Sequence, residues 1–253
     1  MTNGKNADVL LRIQGLCKGF GGVTATDNLS LDVLAGEVHA IIGPNGAGKT
    51  TLISQLSGLL QPDLGTIAFK GQDITALPAH RRAHVGLARS FQITSVFMDM
   101  SVLDNVALAV QARDGHSFKF WAPARRLQHL REPALAKLTT VGLAERAHDR
   151  AAALSHGERR QLEIAMALGT EPEMLLLDEP MAGMGAEETA RMVATLKGLR
   201  GTTMLLVEHD MDAVFALADR ITVLVYGRVI ATGAPNEIRS NADVVRAYLG
   251  EAA

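Results

Sequence analysis

Eight residues in the first fifth of the chain have the types and the spacing of a phosphate-binding site. They are Gly43-Pro44-Asn45-Gly46-Ala47-Gly48-Lys49-Thr50, in which lysine and a hydroxyl residue directly follow the second of two spaced glycines. Glycines let the backbone turn tightly and bring its N–H groups against phosphate oxygens. In this pattern the lysine reaches the β and γ phosphates and the hydroxyl oxygen binds Mg²⁺. These residues, with Thr51 beside them, predict a site for ATP and Mg²⁺.

The flanking residues predict the elements that such a loop needs. Val38–Ile42 has the pattern of a short strand that runs into the loop. Apolar residues then recur at helical spacing at Leu52, Ile53, Leu56 and Leu59. A helix that begins at the loop points its positive end at the bound phosphate. We therefore expect a strand, the loop and a helix, with one face of the helix packed on a sheet.

Two further apolar strands end in residues that could do chemistry. Met174–Leu177 is followed by Asp178 and Glu179, and Met204–Val207 leads to His209. Uniformly apolar strands belong to parallel sheets, in which ligands lie beyond the carboxyl ends of the strands. We expect the loop, the acidic pair and the histidine to surround one site. Asp178 would hold Mg²⁺ through water and Glu179 would activate the attacking water, although two acids can also simply cap a strand end.

The remaining pattern predicts an α/β chain with a mainly parallel core. Partly alternating strands in the first seventy residues predict an antiparallel β layer. The middle third, which is basic and helical in pattern, predicts a helical sub-lobe. We expect a single domain over 1–253, with a core of about 1–92 and 158–253 and a helical subdomain of about 93–157.

Composition limits the class of protein. The chain has 253 residues, of which 47% are hydrophobic and 21% charged, as in a well-cored globular protein. Its net charge of −2 argues against nucleic acid as the main partner. Cys17 is the sole cysteine, which favours a reducing compartment. No apolar run approaches the roughly twenty residues that span a bilayer, so we expect any membrane role to act through a partner.

A third motif narrows the class of nucleotide-binding protein to which the chain could belong. Leu154-Ser155-His156-Gly157-Glu158 precedes a predicted helix, and by itself it could be an ordinary helix-capping box. It lies after the phosphate loop and before Asp178-Glu179, and it resembles the Leu-Ser-x-Gly-Gln/Glu signature of the ATP-binding cassette (ABC) family. Gln92, Asp178-Glu179 and His209 resemble, in order, that family's Q-loop glutamine, Walker B pair and switch histidine. The resemblance covers nearly the whole chain and implies the P-loop NTPase fold of an ABC cassette.

The resemblance implies a role for each matching residue. Gln92 would contact Mg²⁺ and the attacking water, and His209 would contact the γ-phosphate and help to hold Glu179. Phe20 occupies the place of an aromatic residue that stacks on adenine, although it could also be a core residue beside a turn.

The signature implies a second cassette. Ser155 and Gly157 would bind the γ-phosphate of ATP held by another chain, so that ATP joins two cassettes head to tail, and Glu158 would also belong to the nucleotide-binding residues. Two positions depart from the family's usual pattern: His156 stands where glycine is commonest, and Gly185 stands where the D-loop usually has Asp or Asn. The second departure puts one contact across the pair in doubt.

Several segments resemble bacterial branched-chain amino acid uptake cassettes in particular. They are Arg89–Gln92, Leu162–Ala165, Val207–Met211, Ala218–Ile221, Val225–Arg228, Ala231–Gly233 and Val245–Gly250. The resemblance implies an ATPase at the cytoplasmic face of the inner membrane, with transmembrane permease subunits as partners. It also implies a second cassette, identical or paralogous, and indirectly a periplasmic solute-binding protein.

Alternatives remain open at this point. Related cassettes serve transporters of urea, short amides or aromatic acids, or export lipopolysaccharide. A P-loop kinase or GTPase would have no use for the signature, and non-transport ABC ATPases usually carry two cassettes or long insertions. The aromatic cluster Phe118–Trp121 could meet the permease or lipid headgroups, or fill the core of the helical sub-lobe.

Overall fold

The computed structural model describes residues 8–89, 96–113, 128–199 and 201–249. In chain order the strands are β1 (Val9–Phe20), β2 (Val23–Leu34), β3 (Val38–Ile42), β4 (Leu64–Phe69), β5 (Gln72–Asp73), β6 (Leu87–Arg89), β7 (Met174–Asp178), β8 (Thr203–Val207), β9 (Arg220–Val225) and β10 (Arg228–Gly233). The α-helices are α1 (Lys49–Ser57), α2 (Ala79–His84), α3 (Val102–Arg113), α4 (Gln128–Thr140), α5 (His156–Gly169), α6 (Ala186–Gly198), α7 (Met211–Leu217), α8 (Pro235–Ser240) and α9 (Ala242–Leu249).

The chain divides into two compact units. The first comprises residues 1–82 and 201–253, and the second comprises residues 83–200. The predicted helical subdomain of about 93–157 lies within the second unit, which also contains α5, β7 and α6.

The first unit contains an antiparallel sheet in the order β2-β1-β4-β5. The alternation of the sequence explains one buried face, since Leu11 and Ile13 of β1 and Ile67 and Phe69 of β4 are almost fully buried. This is the predicted antiparallel layer.

A second group of strands in the first unit has the order β10-β9-β3-β8. Strand β3 runs parallel to both β8 and β9, and Ile41 lies opposite Val207 and Thr222. The apolar strands are buried on both faces, as parallel strands require. Because β3 and β8 end side by side, the residues that follow them meet at one edge of this sheet.

Helix α1 follows the phosphate loop and buries most of the face that its spacing predicted. Leu52, Ile53 and Leu56 are fully buried. The prediction for Leu59 was wrong: the helix ends at Ser57, Gly58 takes a left-handed φ of 78° after it, and the Leu59 side chain is 60% exposed. A glycine in this conformation is a common helix stop.

Arg82 closes the end of α1. Its side chain is fully buried, and its guanidinium donates hydrogen bonds to the carbonyls of Gln55 and Leu56, at 2.7 and 2.8 Å, and to those of Leu77 and Thr75, at 2.9 and 2.8 Å. The last carbonyls of a helix lack hydrogen-bond donors within the helix, and the guanidinium of Arg82 donates to two of those of α1. Burial lowers the pKa of Arg82 to about 10, so the group remains charged at neutral pH.

Replacing Arg82 with methionine is expected to destabilise the protein by about 3–5 kcal/mol, because several buried carbonyls lose their donors at once. Denaturant unfolding of the purified chain measures this. Arg12→Met is the matched control, since Arg12 forms an exposed pair with Asp32 and its loss should leave the unfolding midpoint unchanged. Equal midpoints for the two variants would show that Arg82 does not secure α1.

In the second unit the short strand β6 pairs in parallel with β7, and helices α3, α4 and α5 pack on one another. Helix α4 lies in the middle third, which the sequence predicted to be helical, and it contains Pro133. Short 3₁₀ turns at Ala144–Arg146 and Ala151–Ala153 lead into α5. In the part of the chain that the structure describes, no helix is long and apolar enough to cross a membrane.

Candidate functional site

The glycines of the phosphate loop pack closely against the backbone of neighbouring strands. Gly43, Gly46 and Gly48 have φ values of 155°, 79° and 99°. A Cβ atom on Gly43 would lie 2.1 Å from the carbonyl oxygen of Leu224, and one on Gly48 would lie 2.0 Å from that of Ala25. Neither position can accept a side chain, so these glycines are required by close approach as well as by conformation.

The loop offers a direct comparison between two glycines. Gly48→Ala is expected to abolish ATP binding, because its Cβ would force the start of α1 away from Ala25. Gly46→Ala should fold and keep measurable binding, since nothing lies within 4 Å of its Cβ and only the left-handed conformation costs about 1–2 kcal/mol. Titration with a fluorescent ATP analogue measures both. An equal loss of ATP binding in the two variants would show that the close packing of Gly48 against Ala25 is not required for binding.

Lys49 lies across the loop that precedes it. Its side chain is buried, and Nζ donates hydrogen bonds to the carbonyl oxygens of Gly43 at 2.6 Å and Pro44 at 2.9 Å. By contrast, Asn45, Gly46 and Thr50 are exposed. The ammonium group is therefore fixed at the start of α1, where backbone N–H groups and the helix dipole also favour an anion.

Phe20 ends β1 and begins the hairpin that leads into β2. Its side chain is 51% exposed, so it is not a core residue, and Nζ of Lys18 lies 5.8 Å from the ring centroid. Val23 is its partner across the hairpin, and Ala25 two residues later contacts Gly48. The hairpin thus places an exposed aromatic ring at the same edge of the first unit as the phosphate loop.

His209 lies just past β8, beside the strand that carries the loop. Its imidazole is 64% exposed, and Nδ1 lies 3.6 Å from Oε2 of Glu208. The Glu208 carboxylate is buried and accepts hydrogen bonds from the backbone N–H groups of His209 and Asp210, at 2.8 and 3.3 Å. Asp210 in turn caps α7. The backbone around His209 is therefore fixed while its ring remains accessible.

The acidic pair is in the second unit, at the end of β7. The Asp178 carboxylate is buried; Oδ2 accepts a hydrogen bond from Arg89 at 2.9 Å, whereas Oδ1 has no hydrogen-bond partner among the residues that the structure describes. Burial raises the pKa of Asp178, an effect that Arg89 opposes. Glu179 is half-buried with a φ of 48°, an uncommon conformation for a side chain other than glycine. Such strain often accompanies function.

These groups fit Mg²⁺. A buried carboxylate oxygen without a donor is suited to a metal ion or to a water that the ion holds. Within the described ranges there is no group of three His, Cys, Asp or Glu side chains that could hold a metal by itself. Mg²⁺ usually binds one or two protein oxygens together with substrate phosphates and water, so a single buried carboxylate is a sufficient contribution from the second unit.

Ser155 and its neighbours form the N-terminus of α5. Ser155 accepts a hydrogen bond from the backbone of Glu158, whose Oε2 accepts one from the Ser155 N–H at 2.7 Å. The other oxygen of Glu158 accepts a hydrogen bond from Arg146 at 2.6 Å. Both oxygens of this predicted nucleotide-binding residue thus brace the turn. A Cβ on Gly157 would lie 2.8 Å from Oε1 of Glu188, the flexible end of a side chain on α6.

The two departures from the usual family pattern lie near each other. A Cβ on Gly183 would lie 3.5 Å from Cε1 of His156, so this imidazole packs over the D-loop of its own chain. Gly185 caps α6 with an ordinary φ of −75°, and nothing lies within 4 Å of a Cβ built on it. An aspartate would therefore fit at Gly185, and the backbone does not explain its absence.

Each unit brings part of the predicted site together. The first holds the phosphate loop and His209 beyond the ends of the neighbouring strands β3 and β8, and Phe20 on the hairpin whose second strand lies against Gly48. In the second, Arg160 of α5 attracts the Asp178 carboxylate, which links the helix of the signature to the acidic pair. Gln92 and Phe118–Trp121 lie outside the described residues. Sequence reasoning missed Arg82, Arg89 and Arg146, because an isolated arginine gives no signal that its partner is distant in sequence.

Comparisons with known proteins identify the family of the chain. The family described as ABC transporter matches residues 26–182, and the family described as branched-chain amino acid ATP-binding cassette transporter matches residues 228–253. The chain is 42% identical to the high-affinity branched-chain amino acid transport ATP-binding protein LivG of Salmonella typhimurium, over 96% of this chain and 98% of that protein. It is 39% identical to BraF of Pseudomonas aeruginosa, which has the same description, over 96% and 98%.

A solved structure has the same fold. The ADP conformation of MJ1267, an ATP-binding cassette of an ABC transporter, superposes with a TM-score of 0.84 at 31% identity, covering 96% of this chain and 99% of that one. This likeness confirms the α/β cassette fold with its parallel core and antiparallel layer. The chain belongs to the ABC transporter family and is one of its ATP-binding, ATP-hydrolysing cassettes.

Proposed function

We propose that this chain is the ATP-hydrolysing subunit of an importer for branched-chain amino acids. The phosphate loop supports the ATP-binding part of this proposal. In it, Gly43 and Gly48 fit against neighbouring backbone, and Lys49 is fixed across the loop. The relatives LivG and BraF, aligned over nearly their whole length, support the substrate class. A cassette does not itself contact the transported solute, so the assignment of the substrate class rests on those relatives.

In this proposal the ATP phosphates lie in the loop, with the β and γ phosphates beside the ammonium of Lys49. The hydroxyl of Thr50 and Oδ1 of Asp178 would hold Mg²⁺, with Gln92 near it. Bound there, the ion would neutralise charge on the phosphates and orient them for attack. Phe20 offers its exposed ring to the adenine.

Glu179 would accept a proton from the attacking water, in line with the γ-phosphate. Glu179 is half-buried and directly follows the last residue of the apolar strand β7. His209 would contact the γ-phosphate and help to hold Glu179. Phosphoryl transfer needs little beyond this positioning and the neutralisation of charge.

Ser155 and Gly157 would complete the site of a second cassette. The exposed N-terminus of α5 presents Ser155 and backbone N–H groups, a favourable place for a γ-phosphate. Glu158 acts here by positioning Ser155, since a carboxylate would repel phosphate and both of its oxygens are engaged. The partner is a copy of this chain or a paralogue.

The other partners in this proposal are transmembrane permease subunits, reached at the cytoplasmic face of the inner membrane, and indirectly a periplasmic solute-binding protein. ATP closure of the two cassettes would drive the permease, and hydrolysis would reopen them. Nucleic acid is not among the partners in this proposal, because the net charge of −2 argues against it.

Uptake by cells that lack this chain tests the substrate class. Uptake of labelled leucine, isoleucine and valine should fall in the deletion strain and be restored by the wild-type chain, but not by Glu179→Gln. Uptake of urea and of an aromatic acid, measured in the same strains, should be unaffected. Normal branched-chain uptake with loss of one of the other solutes would instead assign the chain to a related transporter.

A further inference from the structure

Arg89 and Asp178 form a buried ion pair at the carboxyl ends of two neighbouring strands. In β6 and β7, which run parallel, Arg89 lies opposite Leu176, two residues before Asp178. The two side chains are 9% and 0% exposed, and the guanidinium Nη2 lies 2.9 Å from Oδ2. The proposed chemistry uses Asp178 but gives Arg89 no role so far.

The pair engages only one side of the carboxylate. Oδ2 faces Arg89, whereas Oδ1 is buried and has no hydrogen-bond partner among the residues that the structure describes. The charged hydrogen bond from Nη2 holds Oδ2 on the side of Arg89, which leaves Oδ1 on the opposite side of the planar carboxylate. Arg89 therefore determines where Oδ1 points.

The surroundings explain why a cation is needed here. Asp178 is buried beside the like charge of Glu179, and a buried carboxylate without a counterion is costly. Arg160 of α5 adds a weaker attraction, but its own hydrogen bond goes to Glu163 at 3.0 Å. Arg89 donates its hydrogen bond to the Asp178 carboxylate itself, at 2.9 Å.

We propose that Arg89 is a positioning residue for the metal, which holds the Asp178 carboxylate so that Oδ1 is directed at Mg²⁺ or at a water bound to it. The inference rests on the proposed nucleotide site, because it assumes that Asp178 serves that metal. Groups that orient a metal ligand typically contribute 10–100-fold to metal affinity. A guanidinium that merely stabilised the fold would not change the response to Mg²⁺.

The test separates nucleotide binding from its dependence on Mg²⁺. In chains that carry Glu179→Gln, so that ATP is not consumed, binding of a fluorescent ATP analogue is titrated in EDTA and then at increasing Mg²⁺. Arg89→Gln should bind the analogue in EDTA within about three-fold of its parent, but require about 10-fold more Mg²⁺ or greater for half-saturation. Arg113→Gln, which removes a half-exposed arginine from the end of α3, should match the parent in both titrations.

Arg89→Lys provides a second measurement that does not depend on the folding of Arg89→Gln. Lysine keeps the charge that the buried carboxylate needs but lacks the planar fork, so its Mg²⁺ requirement should be raised, although less than that of Arg89→Gln. A folded Arg89 variant with an unchanged or lower Mg²⁺ requirement overturns the inference. If the parent itself fails to bind the analogue with or without Mg²⁺, the proposed nucleotide site fails instead.

Discussion

Replacing Glu179 with glutamine is expected to slow ATP hydrolysis by about 10²–10⁴-fold, the range for loss of a general base, while ATP affinity stays within about three-fold of the wild-type value. Glutamine has nearly the same size and shape but cannot accept the proton of the attacking water. The left-handed backbone at this position imposes the same strain on either residue, so the fold should be preserved.

Phosphate release measures the rate, and titration with a fluorescent ATP analogue measures affinity. Glu187→Gln is the matched control, because Glu187 is an exposed acid in the first turn of α6 and its loss should leave both values unchanged. Hydrolysis by Glu179→Gln within ten-fold of the wild-type rate would assign the base to another residue.

Replacing Lys49 with alanine is expected to weaken ATP binding by about 100-fold or more, since a buried ammonium paired with phosphate is worth several kcal/mol. The structure adds a second cause. Nζ donates to the carbonyls of Gly43 and Pro44, so its removal also loosens the loop that must cradle the phosphates.

The same fluorescent titration measures this loss, and circular dichroism shows whether the variant is folded. Lys197→Ala, in the exposed last turn of α6, removes an equal charge far along the chain and should bind ATP normally. Wild-type affinity in a folded Lys49→Ala variant would show that the phosphates do not lie in this loop.

Local patterns in the sequence predicted much of the fold. The strand β3, the glycine-rich loop and helix α1 follow from hydrophobic spacing and glycine positions within about twenty residues. Strands β7 and β8 were predicted because apolar runs of their length end in polar residues. Short helices such as α2 and α7 gave no clear signal, since six or seven residues show too little periodicity.

Contacts between distant residues could not be predicted. Arg82 reads as a surface residue in a polar segment, yet it is fully buried against the end of α1. Arg89 lies 89 positions before Asp178, and only the pairing of β6 with β7 brings the two together. A motif can also identify a residue without predicting its contacts. The motif predicted that Glu158 belongs to the site, whereas its hydrogen bonds show that it braces Ser155.

Light scattering on Glu179→Gln tests most directly whether ATP joins two cassettes through the phosphate loop of one and the signature of the other. The mass should double with Mg²⁺-ATP and not with ADP, either for the chain alone or when it is mixed with its paralogue. Ser155→Arg in the same background should bind ATP and remain monomeric, because a bulky side chain would block the signature. A protein that binds ATP but stays monomeric alone, with its paralogue and with the permease subunits would contradict this mechanism.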